Sequence, residues 1–414
     1  MKILWVVNVI IPRIQKMQGR TVSSIYGGWL SGISDHLLKE DGFEICICYP
    51  ERDTKEEIKG KKDKFSYCGL PMIGDAYKKV FLNRVKEYKP DVIHFFGTEF
   101  SWSYELLKVC ERNGYLSQSV LSIQGLVSVC YERFFSGLPF LTRYKFTLSE
   151  LKGRNSLYHI FCDYKKRGIS EMKEITLAQN VITRTTWDKA CVKHINNNIN
   201  CYFCNETLRE EFYSDKWEYE NCRKFSIYVS QASKPIKGFH IFLKALKIVV
   251  SKYPDAMVYV AGNNVIKGNW IKGSSYGMYI KHLMKQYNLE RNVVFLGELN
   301  AQQVKEQLLN TNVFVSASSI ENSPNSLGEA MLLGVPCVAS DVGGVTDMMT
   351  HKEEGYVYPF DEYHLLAHYI IEIFQNASLA SSISIKARKH ALETHDADKN
   401  NETLMHIYQE LSRK

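Results

Sequence analysis

Short apolar strands alternate with helical patterns along nearly the whole of this 414-residue chain. Runs rich in β-branched and aromatic residues, such as 3–9 and 91–96, are separated by stretches with helical periodicity, such as 29–39 and 77–88. This alternation favours right-handed βαβ units, in which neighbouring strands are parallel. The sequence therefore predicts an α/β fold built on parallel sheets.

The alternation stops at a polar and aromatic stretch near residues 213–221 and then restarts. A chain of this length is expected to hold two domains. We predict a doubly wound domain over residues 1–213, a hinge over 214–224 and a second such domain over 225–395. The helix expected at 396–414 is a candidate to pack back on the first domain. The cleft between two such domains is the expected ligand site.

Residues 127–167 interrupt the rhythm with a mixture of aromatic and basic side chains. One interpretation is a surface that lies on a membrane or binds a lipid-linked acceptor. The alternative is a set of extra helices whose aromatic side chains complete the core of the first domain. We favour the alternative because the helical periodicity of this stretch is not clean.

The net charge and the cysteine content of the chain limit the kinds of partner and the compartment that we expect for it. A net charge of +7 suits an anionic ligand or an acidic membrane surface, but it does not indicate nucleic acid, and we expect no such partner. Eleven scattered cysteines do not suggest a disulfide framework, so we expect a cytoplasmic protein. No apolar run reaches 18 residues, so any membrane contact is expected to be peripheral, at the inner membrane face.

Two carboxylates, Glu321 and Glu329, are separated by seven residues in a strand–turn–helix pattern. A strand that leads through a polar turn into a helix N-terminus is suited to hold a phosphate. The alternative for Glu329 is structural, because Ser326 and Glu329 fit the spacing of a capping box. Glu321 has no such simple alternative.

Two other strand–helix connections carry possible phosphate ligands. Lys237 is followed by Gly238 just after the first strand of the second domain, where an ammonium and several N–H groups can meet a diphosphate. Gly27 and Gly28 open the first long helix and allow close approach of the backbone to a ligand. They do not form a G-x-G-x-x-G dinucleotide motif. The alternatives are a solvated lysine and an ordinary tight turn.

Together these elements resemble the retaining nucleotide-sugar glycosyltransferases of family 4, which have the GT-B fold of two Rossmann-like domains facing a cleft. The resemblance is strongest in the second domain. There Glu321 and Glu329 match the E-x7-E motif of the family, and the run 334–344 (GVPCVASDVGG) follows. In the first domain it rests on Gly27-Gly28 and on residues 90–94 (PDVIH).

The resemblance implies specific roles. Glu321 would hold a sugar hydroxyl and support positive charge at the anomeric carbon, and Lys237 would neutralise the departing diphosphate. Glu329 would bind the ribose hydroxyls. The implied catalytic residues are Glu321, Lys237 and Gln124. The implied donor-binding residues are Gly27, Gly28, Gln231, Lys234, Asn325, Ser326, Leu327 and Glu329.

Two positions depart from the family pattern. Gln231 stands where members usually carry an arginine, and Lys234 is a candidate to supply the missing charge, with a plain surface lysine as the alternative. Gln124 stands where many members carry a histidine. A neutral amide is no base, but in same-face attack the leaving phosphate can accept the proton of the acceptor.

Residues 184–188 (RTTWD) and 204–209 (CNETLR) resemble a bacterial polysaccharide subgroup of the family. Arg184, Arg209 and Glu206 are therefore candidates to contact the acceptor or to brace the domains. A structural ion pair of Arg209 with Glu206 or Glu210 is the alternative.

The resemblance implies transfer of a sugar, with retention, from a nucleotide-diphosphate sugar to a saccharide or lipid-linked saccharide. It implies a place in capsular, exopolysaccharide or lipopolysaccharide synthesis, with no metal and no other cofactor. The alternatives are a nucleotide-sugar epimerase on the same fold and a catalytically inert partner subunit.

Overall fold

The computed structural model describes residues 1–21, 27–52, 54 and 56–413, which divide into two compact units. The first unit comprises Met1–Ser128, Lys166–Arg209 and His395–Lys414. The second comprises Val129–Lys165 and Glu210–Thr394. Among the helices that the structure describes, none has the length and apolar character needed to cross a membrane.

Over its described residues, the first unit contains one eight-stranded sheet in the order β3-β4-β2-β1-β5-β6-β7-β8. Neighbouring strands are parallel except for the antiparallel pair β3 and β4. The central strands are buried along their whole length, as expected for a parallel sheet covered on both faces. The strands are β1 (Lys2–Val6), β2 (Glu44–Glu51), β3 (Ile58–Lys62), β4 (Phe65–Pro71), β5 (Val92–Phe96), β6 (Ser119–Ser122), β7 (Asn180–Thr183) and β8 (Asn200–Phe203).

The described part of the second unit contains a six-stranded, wholly parallel sheet in the order β11-β10-β9-β12-β13-β14. This is the doubly wound order, in which the direction of strand addition reverses beside the first strand. Ligands of such sheets bind at the carboxyl ends of the strands beside that reversal. The strands are β9 (Arg223–Val229), β10 (Met257–Ala261), β11 (Val293–Gly297), β12 (Thr311–Ser316), β13 (Cys337–Ser340) and β14 (Tyr356–Tyr358).

Helices supply the crossover connections that parallel strands require. Several start at side-chain caps, such as the capping box of Thr185 and Asp188. The helices are α1 (Pro12–Met17), α2 (Gly28–Lys39), α3 (Ala76–Tyr88), α4 (Ser101–Arg112), α5 (Val127–Cys130), α6 (Phe140–Tyr144), α7 (Leu148–Gly153), α8 (Leu157–Leu177), α9 (Thr186–Ile195), α10 (Phe239–Lys252), α11 (Ser275–Gln286), α12 (Ala301–Leu309), α13 (Asn325–Leu333), α14 (Val345–Met348), α15 (Tyr363–Gln375), α16 (Ala377–Thr394) and α17 (Ala397–Leu411).

The predicted α/β fold with two parallel-sheet domains is confirmed. The sequence analysis missed β3 and β4, which pair with each other and extend the first sheet beyond β2. Strand β3 carries three lysines in five residues, so its composition gave no apolar strand signal.

Residues 129–165 lie in the second unit, whereas the predicted boundary assigned them to the first. The reason is a set of specific contacts within the second unit. His240 Nε2 donates to the carbonyl of Ser136 at 3.0 Å, and Ser319 Oγ donates to the carbonyl of Arg133 at 3.0 Å. Many aromatic side chains of the segment are exposed, so our favoured interpretation, that they complete the core of the first domain, is wrong.

The stretch predicted as a hinge, residues 214–224, also lies within the second unit. Trp217 is buried there, and its Nε1 donates to the carbonyl of Thr311 at 2.7 Å. Asp215 forms an ion pair with Lys305 at 2.5 Å. The aromatic and charged character that suggested a hinge therefore serves packing.

The last helix, α17, belongs to the first unit. The hydroxyl of Tyr408 accepts a hydrogen bond from Trp5 Nε1 at 3.0 Å and lies 2.6 Å from His94 Nδ1. Burial of His94 lowers its pKa to about 3, so the ring stays neutral. The helix thus anchors to a buried polar chain in the centre of the first sheet.

Candidate functional site

The second unit brings Lys237 and Glu321 into direct contact. Lys237 Nζ lies 2.6 Å from Glu321 Oε1, and the same oxygen accepts a hydrogen bond from Ser318 Oγ at 2.6 Å. Lys237 follows strand β9 and Glu321 follows strand β12, which are neighbours in the sheet. The Lys237 side chain is 32% exposed and the Glu321 side chain is 15% exposed, so a ligand can reach them.

The Lys237–Glu321 pair keeps the lysine charged. Burial opposes the ammonium, but the adjacent Glu321 carboxylate outweighs it and raises the pKa of Lys237 above its ordinary value. An ammonium has three hydrogens, so one hydrogen bond to Glu321 leaves two for an anionic ligand. Lys237 therefore presents a fixed ammonium group at the carboxyl end of the sheet, beside the Glu321 carboxylate.

Two glycines allow the loop that carries Glu321 to pack against its neighbours. Gly238 has φ +66°, and a Cβ on it would overlap the carbonyl oxygen of Ala317. Gly343 has φ +57°, and a Cβ there would overlap the carbonyl oxygen of Glu321. Both conformations favour glycine, and both close approaches require it.

Backbone hydrogen bonds fix the same loop from two sides. The Ser319 N–H donates to the carbonyl of Ile236 at 2.8 Å, next to Lys237. The Gly344 N–H donates to the carbonyl of Glu321 at 3.1 Å. The geometry of Lys237 and Glu321 is thus held by main-chain contacts in addition to their own ion pair.

Helix α13 begins at Asn325, with Pro324 as its N-cap residue, and the Pro324 side chain makes no capping hydrogen bond. Ser326 therefore lies inside the first turn, and the capping box considered for Ser326 and Glu329 is not formed. Asn325 and Ser326 are half-buried, whereas Leu327 is buried. Glu329 is also buried, at 4% exposure, one turn further along. A helix N-terminus of this kind favours an anion.

The remaining donor-site candidates of the second unit lie in the loop after β9. Ser230 Oγ donates to Ser326 Oγ at 3.4 Å, which joins this loop to the start of α13. Gln231 is half-buried. Lys234 is exposed, and its Nζ donates to the hydroxyl of Tyr164 at 3.1 Å. The structure therefore groups Lys237, Glu321 and the α13 start, with Lys234 turned toward α8.

In the first unit, Gly27 and Gly28 open helix α2. Gly27 has φ +83° and is buried, and a Cβ on it would lie 3.0 Å from Val9 Cγ2. The Tyr26 that precedes them in the sequence motif lies outside the described residues. The glycine pair thus occupies the strand–helix connection expected for it, in a conformation that glycine favours.

Gln124, Arg184 and Glu206 meet at one end of the first sheet. They help to line a cavity of about 40 Å³, which has room for a few water molecules. Arg184 forms a short ion pair with Glu206, and its Nη2 donates to the carbonyl of Gln124 at 2.9 Å. The side chains of Arg184 and Glu206 keep only 7% and 4% of their exposure. This ion pair joins the segments that follow strands β7 and β8. Arg209 is half-buried at the end of this part of the first unit.

Sequence analysis missed Glu99, which lies beside Gln124 in the first unit. Burial raises the pKa of the Glu99 carboxyl to about 7, Glu171 adds to this, and Arg184 opposes it. Its Oε2 atom is buried, and no described group bonds it. Gly97, with φ +91°, leaves the space that this oxygen occupies. A single glutamate after a strand carries no motif, so the sequence offered no signal for it.

Among the described residues, no group of three or more His, Cys, Asp or Glu side chains is arranged to hold a metal ion. The charged groups near the start of α13 include Lys237 and Glu321.

Comparison with known families adds independent information. Residues 210–390 match the family model described as "Glycosyl transferases group 1". This range contains Lys237, Glu321 and Glu329, so the donor-site candidates of the second unit all lie inside the matched region. The second unit is therefore similar to the glycosyl transferases of group 1 over these residues.

Among curated proteins, Spore coat protein SA of Bacillus subtilis is 23% identical over 190 residues. The match covers 45% of this chain and 49% of that protein. The chain thus spans about half the length of this relative.

Two solved structures match almost end to end. Sucrose-phosphate synthase from Thermosynechococcus elongatus has a TM-score of 0.71 and 14% identity over 99% of both chains. Anabaena Alr3699/HepE in complex with UDP-glucose has a TM-score of 0.68 and 15% identity, covering 99% of this chain and 100% of that one. These likenesses show that the chain has the GT-B fold.

Proposed function

We propose that this protein is a retaining glycosyltransferase of family 4, which transfers a sugar from a nucleotide-diphosphate sugar to a saccharide or lipid-linked saccharide. We further propose that it acts in surface-polysaccharide synthesis. The observation that carries the proposal is the Lys237–Glu321 pair, held at the carboxyl ends of β9 and β12 beside the start of α13. The group 1 match over residues 210–390 and the UDP-glucose complex of the HepE neighbour support it.

The proposed chemistry assigns the diphosphate to Lys237 and to the N–H groups of the first turn of α13. Both are positive before the substrate arrives, so they need little reorganisation as negative charge develops on the leaving phosphate. A preorganised donor of this kind is worth about 3–4 kcal/mol of barrier. Glu321 holds a sugar hydroxyl, and Glu329 holds the ribose hydroxyls.

Retention follows, in the proposal, from attack on the face that the leaving group vacates. The glycosidic bond to the diphosphate breaks and the bond to the acceptor oxygen forms on the same side. The acceptor proton passes to a phosphate oxygen, so this step needs no protein side chain as its base. No metal takes part in this scheme, because Lys237 and the helix N-terminus carry the charge neutralisation.

The experiment is incubation of the purified chain with a panel of nucleotide sugars and saccharide acceptors. The proposal expects released nucleoside diphosphate and a product whose anomeric configuration, read by NMR, matches that of the donor. An epimerised donor without transfer would indicate the epimerase. Donor binding without turnover, even with membrane extract added as acceptor, would indicate an inert partner subunit.

A further inference from the structure

Exposed apolar side chains are concentrated on one part of the second unit, which we call the apolar-basic face. The most exposed of them is Leu141, which keeps 72% of its exposure. The other exposed apolar side chains described in this unit are scattered over β11, α15 and α16. The apolar members of the face are Phe140, Leu141, Tyr144, Phe146, Leu148, Leu151, Tyr158, Trp270 and Ile271.

Two chain segments build the face, and backbone hydrogen bonds join them side by side. The Leu148 N–H donates to the carbonyl of Trp270 at 3.1 Å, and the Ser149 N–H donates to the carbonyl of Ile271 at 3.0 Å. These bonds connect residues 140–158 with the loop that follows β10. The face is therefore a continuous surface rather than two separate exposed segments.

A buried polar contact holds the joint from beneath. Glu150 caps its own helix with Thr147, and its Oε1 accepts hydrogen bonds from the Ser275 N–H and Oγ at 3.0 and 3.1 Å. Thr147 Oγ1 donates to the carbonyl of Gly273 at 2.8 Å. Because these groups are buried and bonded, the neighbouring residues Phe146, Leu148 and Leu151 are held in exposed positions by a fixed scaffold.

In the two segments that build the face, the exposed charged side chains are all of one sign. Within residues 140–154 and 266–273, all of which the structure describes, the one acidic side chain is Glu150, and it is buried. The exposed charged residues of these stretches are all basic, namely Lys145, Lys152, Arg154, Lys267 and Lys272. Aromatic side chains with lysine and arginine beside them suit the interface of an anionic bilayer. A surface that formed part of a core would not be exposed. An ordinary surface facing water would not carry so many apolar side chains.

We propose that the apolar-basic face docks on a membrane surface that contains anionic lipid. Trp270, Ile271 and the aromatic residues of α6 enter the headgroup region, and the lysines remain at its negatively charged surface. The inference is independent of the proposed reaction, because its test measures vesicle binding rather than turnover.

The test is co-sedimentation of the full chain with vesicles of phosphatidylcholine, with and without phosphatidylglycerol. Binding is expected only with phosphatidylglycerol and is expected to weaken as salt rises. Lys272→Glu should lower the partition coefficient by at least roughly fivefold, the effect of one basic residue near such a surface. The double variant Trp270→Ser, Ile271→Ser should lower it by roughly tenfold or more.

Matched controls lie on α16 of the same unit. Ile385 keeps 65% of its exposure, close to the 58% of Ile271, and Lys386 beside it is exposed. Ile385→Ser and Lys386→Glu should leave vesicle binding unchanged. Equal losses in these controls would overturn the proposal, as would equal sedimentation with both vesicle types. Self-association in sedimentation velocity that disappears with the Trp270 and Ile271 double variant would also overturn it, in favour of a second copy of the chain.

Discussion

Lys237 Nζ lies 2.6 Å from Glu321 Oε1 across 84 residues of sequence. The Glu321 carboxylate keeps the Lys237 ammonium charged. The ammonium in turn holds the carboxylate in place by its hydrogen bond to Oε1. Since the two belong to the loops after neighbouring strands, their contact depends on the doubly wound topology. The pair is the structural basis of the proposed donor site.

The two residues should act as a unit in donor binding. Lys237→Met and Glu321→Gln should each weaken binding of a nucleotide-diphosphate sugar, and the double variant should lose less than the sum of the two single losses. Residues in direct contact show coupling energies of about 0.5–3 kcal/mol. Isothermal titration calorimetry on the four proteins measures this coupling, and additive losses would contradict a shared role.

Gly238→Ala should destabilise the second unit more than Gly297→Ala. Both glycines have positive φ, which costs an alanine about 1–2 kcal/mol. A Cβ at Gly297 meets nothing within 4 Å, whereas one at Gly238 overlaps the Ala317 carbonyl, and relief of that overlap adds about 1–3 kcal/mol. Urea unfolding of the two variants compares them directly. Equal destabilisation would show that the close approach to Ala317 is not required.

Removal of Arg184 should destabilise the first unit. Arg184→Met leaves the buried Glu206 carboxylate without its ion-pair partner, and the expected loss is about 3–5 kcal/mol. The double variant Arg184→Met, Glu206→Gln should recover part of that loss. If instead stability is unchanged and acceptor affinity falls, the acceptor role considered from the sequence would be correct and the structural role wrong.

The fold, and the contact between Lys237 and Glu321 on which the proposed donor site rests, could be predicted from sequence because their signals are local. Strand–helix alternation has a short period, and Glu321 and Lys237 each lie in a recognisable strand–turn–helix pattern. The placement of residues 129–165 depends instead on contacts such as Glu150 with Ser275, which are 125 residues apart. No local pattern encodes that contact.

Two other local patterns did not form the structures that they suggested. Ser326 and Glu329 have the spacing of a capping box, but Pro324 takes the N-cap position and shifts the helix start by two residues. Trp217 lies in a polar stretch that resembled a hinge, yet its indole is buried in the second unit and its Nε1 bonds Thr311. For Trp217, tertiary packing selected a structure that the surrounding composition did not favour.

Glu99→Gln should change how stability depends on pH. The folded-state pKa of Glu99 is raised from the ordinary 4.5 to about 7, mainly by burial, so the folded chain binds the extra proton between these values. The native protein should therefore lose stability as pH rises from 4.5 to 7 through this group, and the variant should lose less. Urea unfolding at pH 5 and pH 8 tests this, with Glu171 and Glu174 common to both proteins. Parallel pH profiles would contradict the raised pKa.

The most direct test of the account is the rate of nucleoside diphosphate release from the best donor of the panel, in the presence of its acceptor. Lys237→Ala should lower this rate by roughly 10²–10³-fold. The matched control is Lys244→Ala. Lys244 lies in the following helix, α10, over the ring of Tyr363, and its replacement should leave the release rate unchanged. The account predicts that the native chain and Lys244→Ala release nucleoside diphosphate at similar rates and that Lys237→Ala does not. An unchanged rate in Lys237→Ala would contradict the central claim that this lysine neutralises the leaving diphosphate.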